Sequence, residues 1–362
     1  MKKLFSLLAV LLSITSHATI RTVCNTPSTL AQYADIQTAI NACNVIGDTI
    51  YVHGSPNPYA GFNLVDKQIT IIGPGWAPNK ISSLKAILYS ACNIFGTASS
   101  GTEIQGLVFS NVSNFVNIQN NVVINNLRFI RNHFMAGQFN FGPSAITYTN
   151  YLFEGNYFEN AQVVCNSANI TLSNFIFQNN IFYNVNTNNI YSFFNCTNVL
   201  FNHNLFYGPS GGAADVFAGS TCQGITLNNN IFVRRNAANV SGNNIFTNNI
   251  TFNAGNNTPW ASNGNTDAGG NISNQDPQMV DQALVNIGTN NPLLNFTIPA
   301  GPANNSGLDG KDMGLLYDAV GSLNWASSRT SFLPYIYSMN ITNPTIPAGG
   351  TLTVTVEARK DN

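Results

Sequence analysis

An eight-residue pattern of apolar and polar positions recurs through the middle of the chain. It reads apolar-x-apolar-x-x-[Asn, Leu or Ile]-x-Phe, and its copies begin at Thr102, Val122, Tyr151, Phe175, Val199, Ile225 and Ile245. Alternating apolar residues at the first and third positions indicate a strand. The polar pair at the fourth and fifth positions predicts a tight bend, after which the alternation resumes.

The spacing of the copies predicts how the strands are arranged. The closing phenylalanines are Phe109, Phe129, Phe158, Phe182, Phe206, Phe232 and Phe252, so each repeat covers 20 to 29 residues. A repeat with one strand, one bend and a second strand is typical of one turn of a parallel β-helix. Helical and leucine-rich solenoids would show 3.6-residue periodicity between the copies, where this chain has Asn, Gly, Ser and β-branched residues. The sequence therefore predicts an all-β fold, a single-stranded right-handed parallel β-helix.

The sixth position of the pattern predicts a column of buried amides. In a β-helix each side chain lies over its counterpart in the next turn, about 4.8 Å away. A stacked asparagine donates to one neighbour and accepts from the other, which satisfies groups that are costly to bury alone. The sixth positions are Leu107, Leu127, Asn156, Asn180, Asn204, Asn230 and Ile250. We expect Asn156, Asn180, Asn204 and Asn230 to form a structural ladder, and the closing phenylalanines to stack likewise.

The two ends of the repeat region carry different signals. Residues 35–43 place apolar side chains at i, i+3, i+4 and i+7 behind Asp35, which predicts a short amphipathic helix that caps the first coil. Beyond residue 330, two alternating stretches around Pro344 and Pro347 predict a C-terminal β tail. We divide the chain into a signal peptide (1–18), an N-terminal cap with a short helix (19–48), the β-helix with irregular C-terminal coils (49–320) and the β tail (321–362).

The first residues are typical of a secretory signal peptide. Lys2 and Lys3 precede an apolar stretch that ends at Ile14, and small residues predict cleavage after Ala18. The stretch is shorter than the roughly 20 apolar residues that a membrane span needs. We therefore expect a secreted protein, in the extracellular space, at the cell surface or in the periplasm, that does not span a membrane.

The chain has six cysteines, and disulfides persist in exported proteins. Their spacing contains no Cys-x-x-Cys, so a zinc site is not expected. Cys24 and Cys43 bracket one short segment and are the best candidates for a bridge. The alternative is that all six are small buried apolar residues.

Charged residues make up only 8% of the chain, against about 25% in an average soluble domain. Neutral polar groups replace them, and 58 residues are asparagine. Coiled coils and highly charged disordered chains are excluded, because both need Glu and Lys in quantity. The 14 basic and 15 acidic side chains leave a net charge of -1 without a basic run in the mature chain, so we expect no nucleic-acid partner.

With these signals the chain resembles the right-handed parallel β-helix proteins of the pectin-lyase-like superfamily, in particular exported bacterial members. The matching residues are Ile36–Ile40 followed by Gly47–Val52, the Ile-x-x-Asn-x-Phe coils, and the closing stretches 276–280 and 307–314. The last thirty residues resemble the short β tail of exported Bacteroidetes-like proteins. The resemblance spans residues 34–318 and implies the fold. It implies no single activity, because this fold hosts lyases, hydrolases, epimerases, tailspikes and adhesins.

Lyases of this superfamily typically hold Ca²⁺ with clustered carboxylates and use Arg or Lys as base, and its hydrolases use several Asp on neighbouring coils. Between residues 100 and 253 the acids are Glu103, Glu154, Glu159 and Asp215, and no two occupy the same repeat position in adjacent coils. Neither a Ca²⁺ site nor a glycosidase carboxyl pair is evident. Glu154, Glu159 and Arg234 are weak catalytic candidates. We expect no cofactor or metal, with Ca²⁺ relevant only to a lyase activity.

The residue after each closing phenylalanine faces outward by alternation. Tyr183 and Tyr207 lie in adjacent coils, with Glu159 one coil below and Arg234 just above. Together they would form an aromatic and polar platform suited to sugar rings. The alternative is cross-coil aromatic packing beneath a loop.

Positions two and seven of the repeat form an outer apolar stripe. Its members are Val123, Leu152, Ile176 and Leu200 at position two, and Tyr157, Ile181, Leu205 and Ile231 at position seven. These are too many apolar groups for a bare wall. We expect the stripe to be covered either by residues 280–362 or by a second subunit of a homo-oligomer.

Together these observations favour a secreted, non-catalytic β-helix protein that is adhesive or contacts carbohydrate, with a polysaccharide or cell-surface glycan as partner. The alternative is a polysaccharide lyase or glycoside hydrolase. A structural surface protein or ice-contacting scaffold is the third possibility.

Overall fold

The computed structural model of the protein describes residues 18–26, 31–76, 84–110, 113–185, 187–209, 215–218, 222–237, 241–317, 335–341, 351 and 353–359. The predicted signal peptide, apart from Ala18, lies outside these residues, as does much of the predicted tail. Within the described ranges, no helix is both long and apolar enough to cross a membrane.

The chain winds into a right-handed parallel β-helix, as the repeat predicts, and successive coils pair in parallel within two long sheets. Leu152, for example, pairs with Arg128 of the coil before and Ile176 of the coil after. The strands of the first sheet are Ile20–Val23, Ile46–Val52, Gln68–Ile72, Glu103–Gln105, Arg128–Ile130, Thr147–Glu154, Thr171–Gln178, Asn195–Thr197, Val199–Asn202, Ile225–Asn228, Ile245–Thr247 and Thr266–Asp267.

The second sheet lies across the core from the first. Its strands are Asn63–Val65, Ile87–Leu88, Cys92–Phe95, Val108–Phe109, Asn114–Ile118, His133–Phe141, Tyr157–Cys165, Ile181–Tyr183, Ile190–Tyr191, Leu205–Tyr207, Ile231–Val233 and Ile250–Phe252. In the tail, Tyr335–Ile341 and Val354–Arg359 form an antiparallel pair. The described helices are short: α-helices Ile36–Ala42 and Gln282–Asn286, and 3₁₀ turns Thr97–Ser99 and Pro259–Ala261.

Two columns of aromatic rings fill the space between the sheets. The third repeat position stacks Phe129, Phe153, Phe177 and Phe201, with centroids 4.4 to 5.2 Å apart. The eighth position stacks Phe109, Phe134, Phe158, Phe182, Phe206 and Phe232 at 4.6 to 4.9 Å. These separations follow the spacing of parallel strands, so each ring lies on its counterpart in the next coil.

The register in two coils differs from the sequence expectation. Phe129 pairs with Phe153, a third-position residue, so that coil's copy begins at Leu127 and its sixth position is Asn132. Ile250 pairs with Ile231 and is therefore a seventh-position residue. The third and eighth positions of the repeat are both apolar and both point inward. The alternation of apolar residues alone therefore does not distinguish one position from the other.

The predicted ladder of Asn156, Asn180, Asn204 and Asn230 is present and buried. The Oδ1 of Asn180 accepts from the backbone N–H of Asn156 at 2.8 Å and from its Nδ2 at 3.0 Å. The other hydrogen of that amide goes to the Phe129 carbonyl, 2.8 Å away. The corrected register extends the same pattern to further members at both ends, Asn132, Asn249 and Asn271. Every ladder amide thus finds partners without water.

The fifth position explains the bend in each coil. The residue there has a left-handed backbone in Gly106, Arg131, Gly155, Asn179, His203, Asn229, Asn248 and Gly270, with φ from 51° to 69°. Glycine and asparagine adopt this conformation at least cost. The bend turns the chain and presents the next residue, the ladder asparagine, to the core.

The N-terminal end contains the predicted capping helix. Asp35 caps Ile36–Ala42, with its Oδ1 accepting from the Thr38 backbone N–H at 2.8 Å. The strand Ile20–Val23 already pairs with Ile46–Val52, so parallel pairing begins within residues 19–48. The predicted Cys24–Cys43 bridge is not formed. The thiol of Cys43 instead donates to the Ala39 carbonyl at 3.2 Å, beside the helix end.

Residues 279–317 cover the seventh-position half of the outer stripe. Tyr157, Ile181, Leu205 and Ile231 are buried. They pack against Met279, Val285, Leu294, Phe296, Ile298, Ala303, Met313 and Leu315. The expectation that the chain's own C-terminal part covers the stripe is therefore correct for these positions. The second-position half is not covered by residues 279–317 in the same way, and Ile176 remains 36% exposed.

Candidate functional site

A cleft of about 240 Å³ lies where the C-terminal segment crosses the second sheet. Its lining residues are Trp76, Lys85, His133, Tyr157, Glu159 and Asn290–Leu293. These residues come from four separate parts of the chain, and the coils and the covering segment bring them together.

The coil register positions the inner side of the cleft. His133 and Tyr157 are seventh-position residues of adjacent coils and pair directly. The next residue in each strand, Phe134 and Phe158, points into the aromatic core, so His133 and Tyr157 point away from it. Glu159 lies two residues after Tyr157 and points to the same side.

A chain of hydrogen bonds crosses the cleft. His133 Nε2 lies 2.8 Å from Glu159 Oε2. The other carboxylate oxygen, Oε1, accepts from Asn290 Nδ2 at 2.6 Å. The Tyr157 hydroxyl donates to Asn290 Oδ1. Asn290 therefore joins the covering segment to the carboxylate and fixes its orientation.

The surroundings of His133 and Glu159 favour a neutral imidazole beside an ionised carboxylate. Burial lowers the pKa of His133, and the nearby Lys85 lowers it further, which together outweigh the opposing effect of Glu159. The hydrogen bond from His133 lowers the pKa of Glu159 despite partial burial, with help from Asn290. A neutral His133 bonded in this way carries its proton on Nε2 and donates it to Glu159.

Aromatic rings form the floor of the cleft. Trp76 and Tyr157 have ring centroids 6.2 Å apart, and His133 lies 4.5 Å from Tyr157. The indole Nε1 of Trp76 donates to the Gly155 carbonyl at 3.4 Å. The rim consists of the exposed Asn290 and Leu293, with the half-buried Lys85 and Glu159. The cleft thus has an apolar floor and a rim with one cation, one anion and one amide.

The platform expected from Tyr183 and Tyr207 is not formed on the surface. Both side chains are buried, because residues 288 and 289 lie over them. Tyr183 donates to the Gly288 carbonyl and Tyr207 to the Thr289 carbonyl, each at 3.1 Å. Arg234 donates to the Asn286 carbonyl at 2.6 Å and anchors the same segment. Tyr183 and Tyr207 therefore pack against each other beneath a loop, which was the alternative to a sugar-binding platform.

The two candidate carboxylates have different surroundings. Glu159 lies in the cleft, whereas Glu154 is 1% exposed and lies on the first sheet. The structure therefore does not bring Glu154, Glu159 and Arg234 together in this cleft. Among the described residues, no group of three or more His, Cys, Asp or Glu is arranged to hold a metal ion.

Sequence reasoning missed Trp76, Lys85, His133 and Asn290 as site residues. The signal for His133 was present, because it takes the seventh position once the copy is read from Leu127 to Phe134. Trp76, Lys85 and Asn290 lie in irregular segments outside the repeat, where the pattern assigns no position.

Comparisons with known proteins do not extend this description: no protein-family model matches the chain, and no curated protein matches it.

Proposed function

We propose that the protein is a secreted, non-catalytic β-helix protein of the pectin-lyase-like type that contacts carbohydrate through this cleft. The observation that carries the proposal is the combination of an aromatic floor with the Lys85, Glu159 and Asn290 rim. Secretion is supported by the signal peptide pattern of residues 1–18, and the superfamily by the cap and coil pattern.

The cleft chemistry suits a sugar. Ligand sites are typically apolar concavities with a few fixed polar groups, and sugars offer hydroxyl groups on a partly apolar ring. Glu159 accepts hydrogen bonds, Lys85 donates them, and the Asn290 amide does both. Because His133 and Asn290 already fix Glu159, little freedom is lost when a ligand binds. The small volume of the cleft suits one sugar unit or a chain end.

A binding role is favoured over hydrolysis by the lining of the cleft. Among its described lining residues Glu159 is the one carboxylate. Glycoside hydrolysis normally uses two carboxyl groups about 5 to 9.5 Å apart. A cleft with one fixed carboxylate can hold a hydroxyl group without supplying both the acid and the base.

The test is a glycan array screen followed by calorimetric titration with the best oligosaccharide. We expect Glu159→Gln and Lys85→Gln to weaken binding at least tenfold. Glu103→Gln is the matched control, because it changes another partly exposed carboxylate outside the cleft. The proposal is wrong if the wild-type protein binds no glycan, or if the cleft variants bind as well as the control.

One observation favours the enzymatic alternative, a polysaccharide lyase or glycoside hydrolase. The His133–Glu159 pair, 2.8 Å apart and close to Lys85, resembles a base held by an orienting carboxylate. Assays of reducing ends and unsaturated products against acidic and neutral polysaccharides, with and without Ca²⁺, test this alternative. Turnover that Glu159→Gln abolishes would establish an enzyme and overturn the non-catalytic proposal.

A further inference from the structure

A row of side chains on the first sheet, aliphatic except for one threonine, remains partly exposed. Leu152, Ile176, Leu200, Thr226 and Ile245 occupy the second repeat position in successive coils and pair in register. Ile176 is 36% and Ile245 44% exposed, and the other three are half-buried. We call these five residues the aliphatic row. Four coil steps of about 4.8 Å give it a length of roughly 19 Å along the axis.

Columns of amide side chains border the row on both sides. On one side lie Asn150, Asn174 and Asn198, linked by Nδ2 to Oδ1 hydrogen bonds of 3.0 and 3.1 Å. On the other side lie Gln178, Asn202 and Asn228, two residues after Ile176, Leu200 and Thr226. In the coil of Leu152 this position is Glu154, which is 1% exposed. Each amide column therefore follows the row from coil to coil and offers donors and acceptors at a regular spacing.

Hydroxyl groups extend this polar border. Thr149, Ser173 and Thr197 pair in register beyond the Asn150–Asn174–Asn198 column. Within the described part of the chain, no hydrogen bond uses their side-chain hydroxyls, and all three are at least partly accessible. They are free to bind an external polar group.

Apart from the buried Glu154, the aliphatic row and its two borders contain no ionisable side chain. The nearest ion pair, Arg128 with Glu103 at 3.3 Å, lies at the end of the row beside Leu152. An uncharged surface of this kind offers an ionic ligand no partner. It suits a neutral ligand with an apolar face and polar edges.

We propose that the aliphatic row and its amide borders bind one extended neutral polysaccharide chain parallel to the solenoid axis. The proposal deepens the proposed carbohydrate-contacting function and uses a surface separate from the cleft. The C–H faces of successive sugar rings lie on Leu152, Ile176 and Leu200. Their hydroxyl edges bind the bordering amides, so the covered amides keep hydrogen-bond partners.

The geometry favours a polymer over a small or fully apolar ligand. The row continues through five successive coils, with amides on both sides at Ile176 and Leu200. A repeating ligand therefore gains one weak contact per coil, and these contacts add along one chain. A lipid or other purely apolar ligand would cover the row and desolvate the flanking amides without replacing their hydrogen bonds. Without charged contacts, binding should also be insensitive to salt.

The experiment is a pull-down of the full chain on insoluble cellulose and chitin, with polygalacturonate as the acidic comparison, at 0.1 and 1 M NaCl. We expect wild-type protein to bind a neutral polymer equally at both salt concentrations. Ile176→Lys and Ile176→Lys combined with Ile245→Lys should reduce binding at least tenfold. Tyr191→Lys is the matched control, since Tyr191 is a 45% exposed apolar residue on the other sheet. Circular dichroism verifies that every variant is folded.

The cleft variant Glu159→Gln separates the two proposals. Neutral-polymer binding that survives Glu159→Gln but not Ile176→Lys supports the row, whatever happens to oligosaccharide binding at the cleft. The row proposal is overturned if wild-type protein binds no neutral polymer, or if Ile176→Lys binds like Tyr191→Lys. It is also overturned if Ile176→Lys abolishes a dimer seen by sedimentation, or removes an inhibition of ice growth, without changing polymer binding.

Discussion

The side chain of Asn204 accepts two hydrogen bonds from Asn180, one from its backbone N–H at 3.0 Å and one from its Nδ2 at 2.9 Å. Asn204 in turn donates to Asn230 Oδ1 at 3.0 Å and to the Phe177 carbonyl at 2.9 Å. Each ladder residue thus completes the hydrogen bonds of the coil before it. The ladder fixes the register between coils, which the inward apolar residues alone leave ambiguous.

Replacement of Asn204 by leucine should be strongly destabilising. The change leaves the buried N–H of Asn180 and the carbonyl of Phe177 without these partners. A buried polar group without a partner costs about 1 to 3 kcal/mol. We expect the free energy of unfolding, measured by urea denaturation, to fall by roughly 3 kcal/mol or more.

Asn198→Gly provides the control for the ladder prediction. Asn198 is exposed, also hydrogen-bonds to an asparagine of the previous coil, and has φ 54°, which glycine accepts. We expect a loss below about 1 kcal/mol, because water replaces the lost partner. Equal losses in Asn204→Leu and Asn198→Gly would show that burial of the ladder is not the source of its stability.

His203 should make the folded state sensitive to mild acid. Its ring contacts Asp309 Oδ2 at 3.1 Å and the Gly314 carbonyl at 3.2 Å, where burial lowers its pKa below the usual 6.5 despite the raising effect of Asp309. The unfolded chain therefore binds more protons just below pH 6.5, so stability falls as the pH drops from about 6.5 towards the lower folded pKa. The pKa of His133 is lowered by burial too and acts in the same direction.

His203→Asn tests the pH prediction. Asparagine tolerates the φ of 53° at this position and does not titrate. Urea denaturation at pH 7.5, 6.5 and 5.5 should show a smaller loss of stability on acidification in the variant than in the wild type. An unchanged pH dependence would mean that His203 does not contribute.

Removal of the covering segment should expose an adhesive surface. A chain that ends at residue 277 leaves Tyr157, Ile181, Leu205 and Ile231 without their apolar partners from residues 279–317. Large exposed apolar patches promote association. We expect this chain to sediment as oligomers or aggregates, whereas a chain ending at residue 317 stays in the state of the full protein. A soluble, monomeric shorter chain would contradict the covering role.

The repeat pattern was sufficient to predict the β-helix and the central ladder, because stacked coils force identical residue types into register. Successive ladder residues from Asn132 to Asn230 lie 24, 24, 24 and 26 residues apart. This even spacing identifies Asn132, and not Leu127, as the sixth-position residue of its coil. The pattern of apolar residues does not identify it, because Phe129 fits either the eighth or the third position of the repeat.

The candidate site was much less predictable. Only His133, Tyr157 and Glu159 lie on the regular coils, and Glu159 alone was recognised as a candidate. Asn290 reaches Glu159 from 131 residues away, through a segment that has no repeat. The same segment buries Tyr183 and Tyr207, which alternation correctly placed on the outer wall. The strand pattern predicts that a side chain points outward. Whether that side chain is exposed depends on which other segments of the chain pack over it.

Cleavage after Ala18, which the sequence predicts, should add a positive charge to a contact that already exists. The backbone N of Thr19 lies 2.7 Å from Oδ1 of Asp48, whose side chain is fully buried and also bonds Arg21 and the Asn44 backbone. Burial alone would raise the pKa of Asp48, but the hydrogen bonds from Thr19, Asn44 and Arg21 lower it. The predicted cleavage after Ala18 converts the Thr19 amide into an α-ammonium group.

A chain that begins at Thr19 should therefore be more stable than the same chain acetylated at Thr19, by about 1 to 3 kcal/mol, because charged hydrogen bonds are the stronger ones. The ion pair raises the folded pKa of the α-amino group, so the difference is complete below about pH 8 and is lost as the pH rises through that higher value. Asp48→Asn should remove most of the difference in a double-mutant cycle measured by urea denaturation. Equal stability of the free and acetylated chains at pH 7 would show that the new terminus does not pair with Asp48.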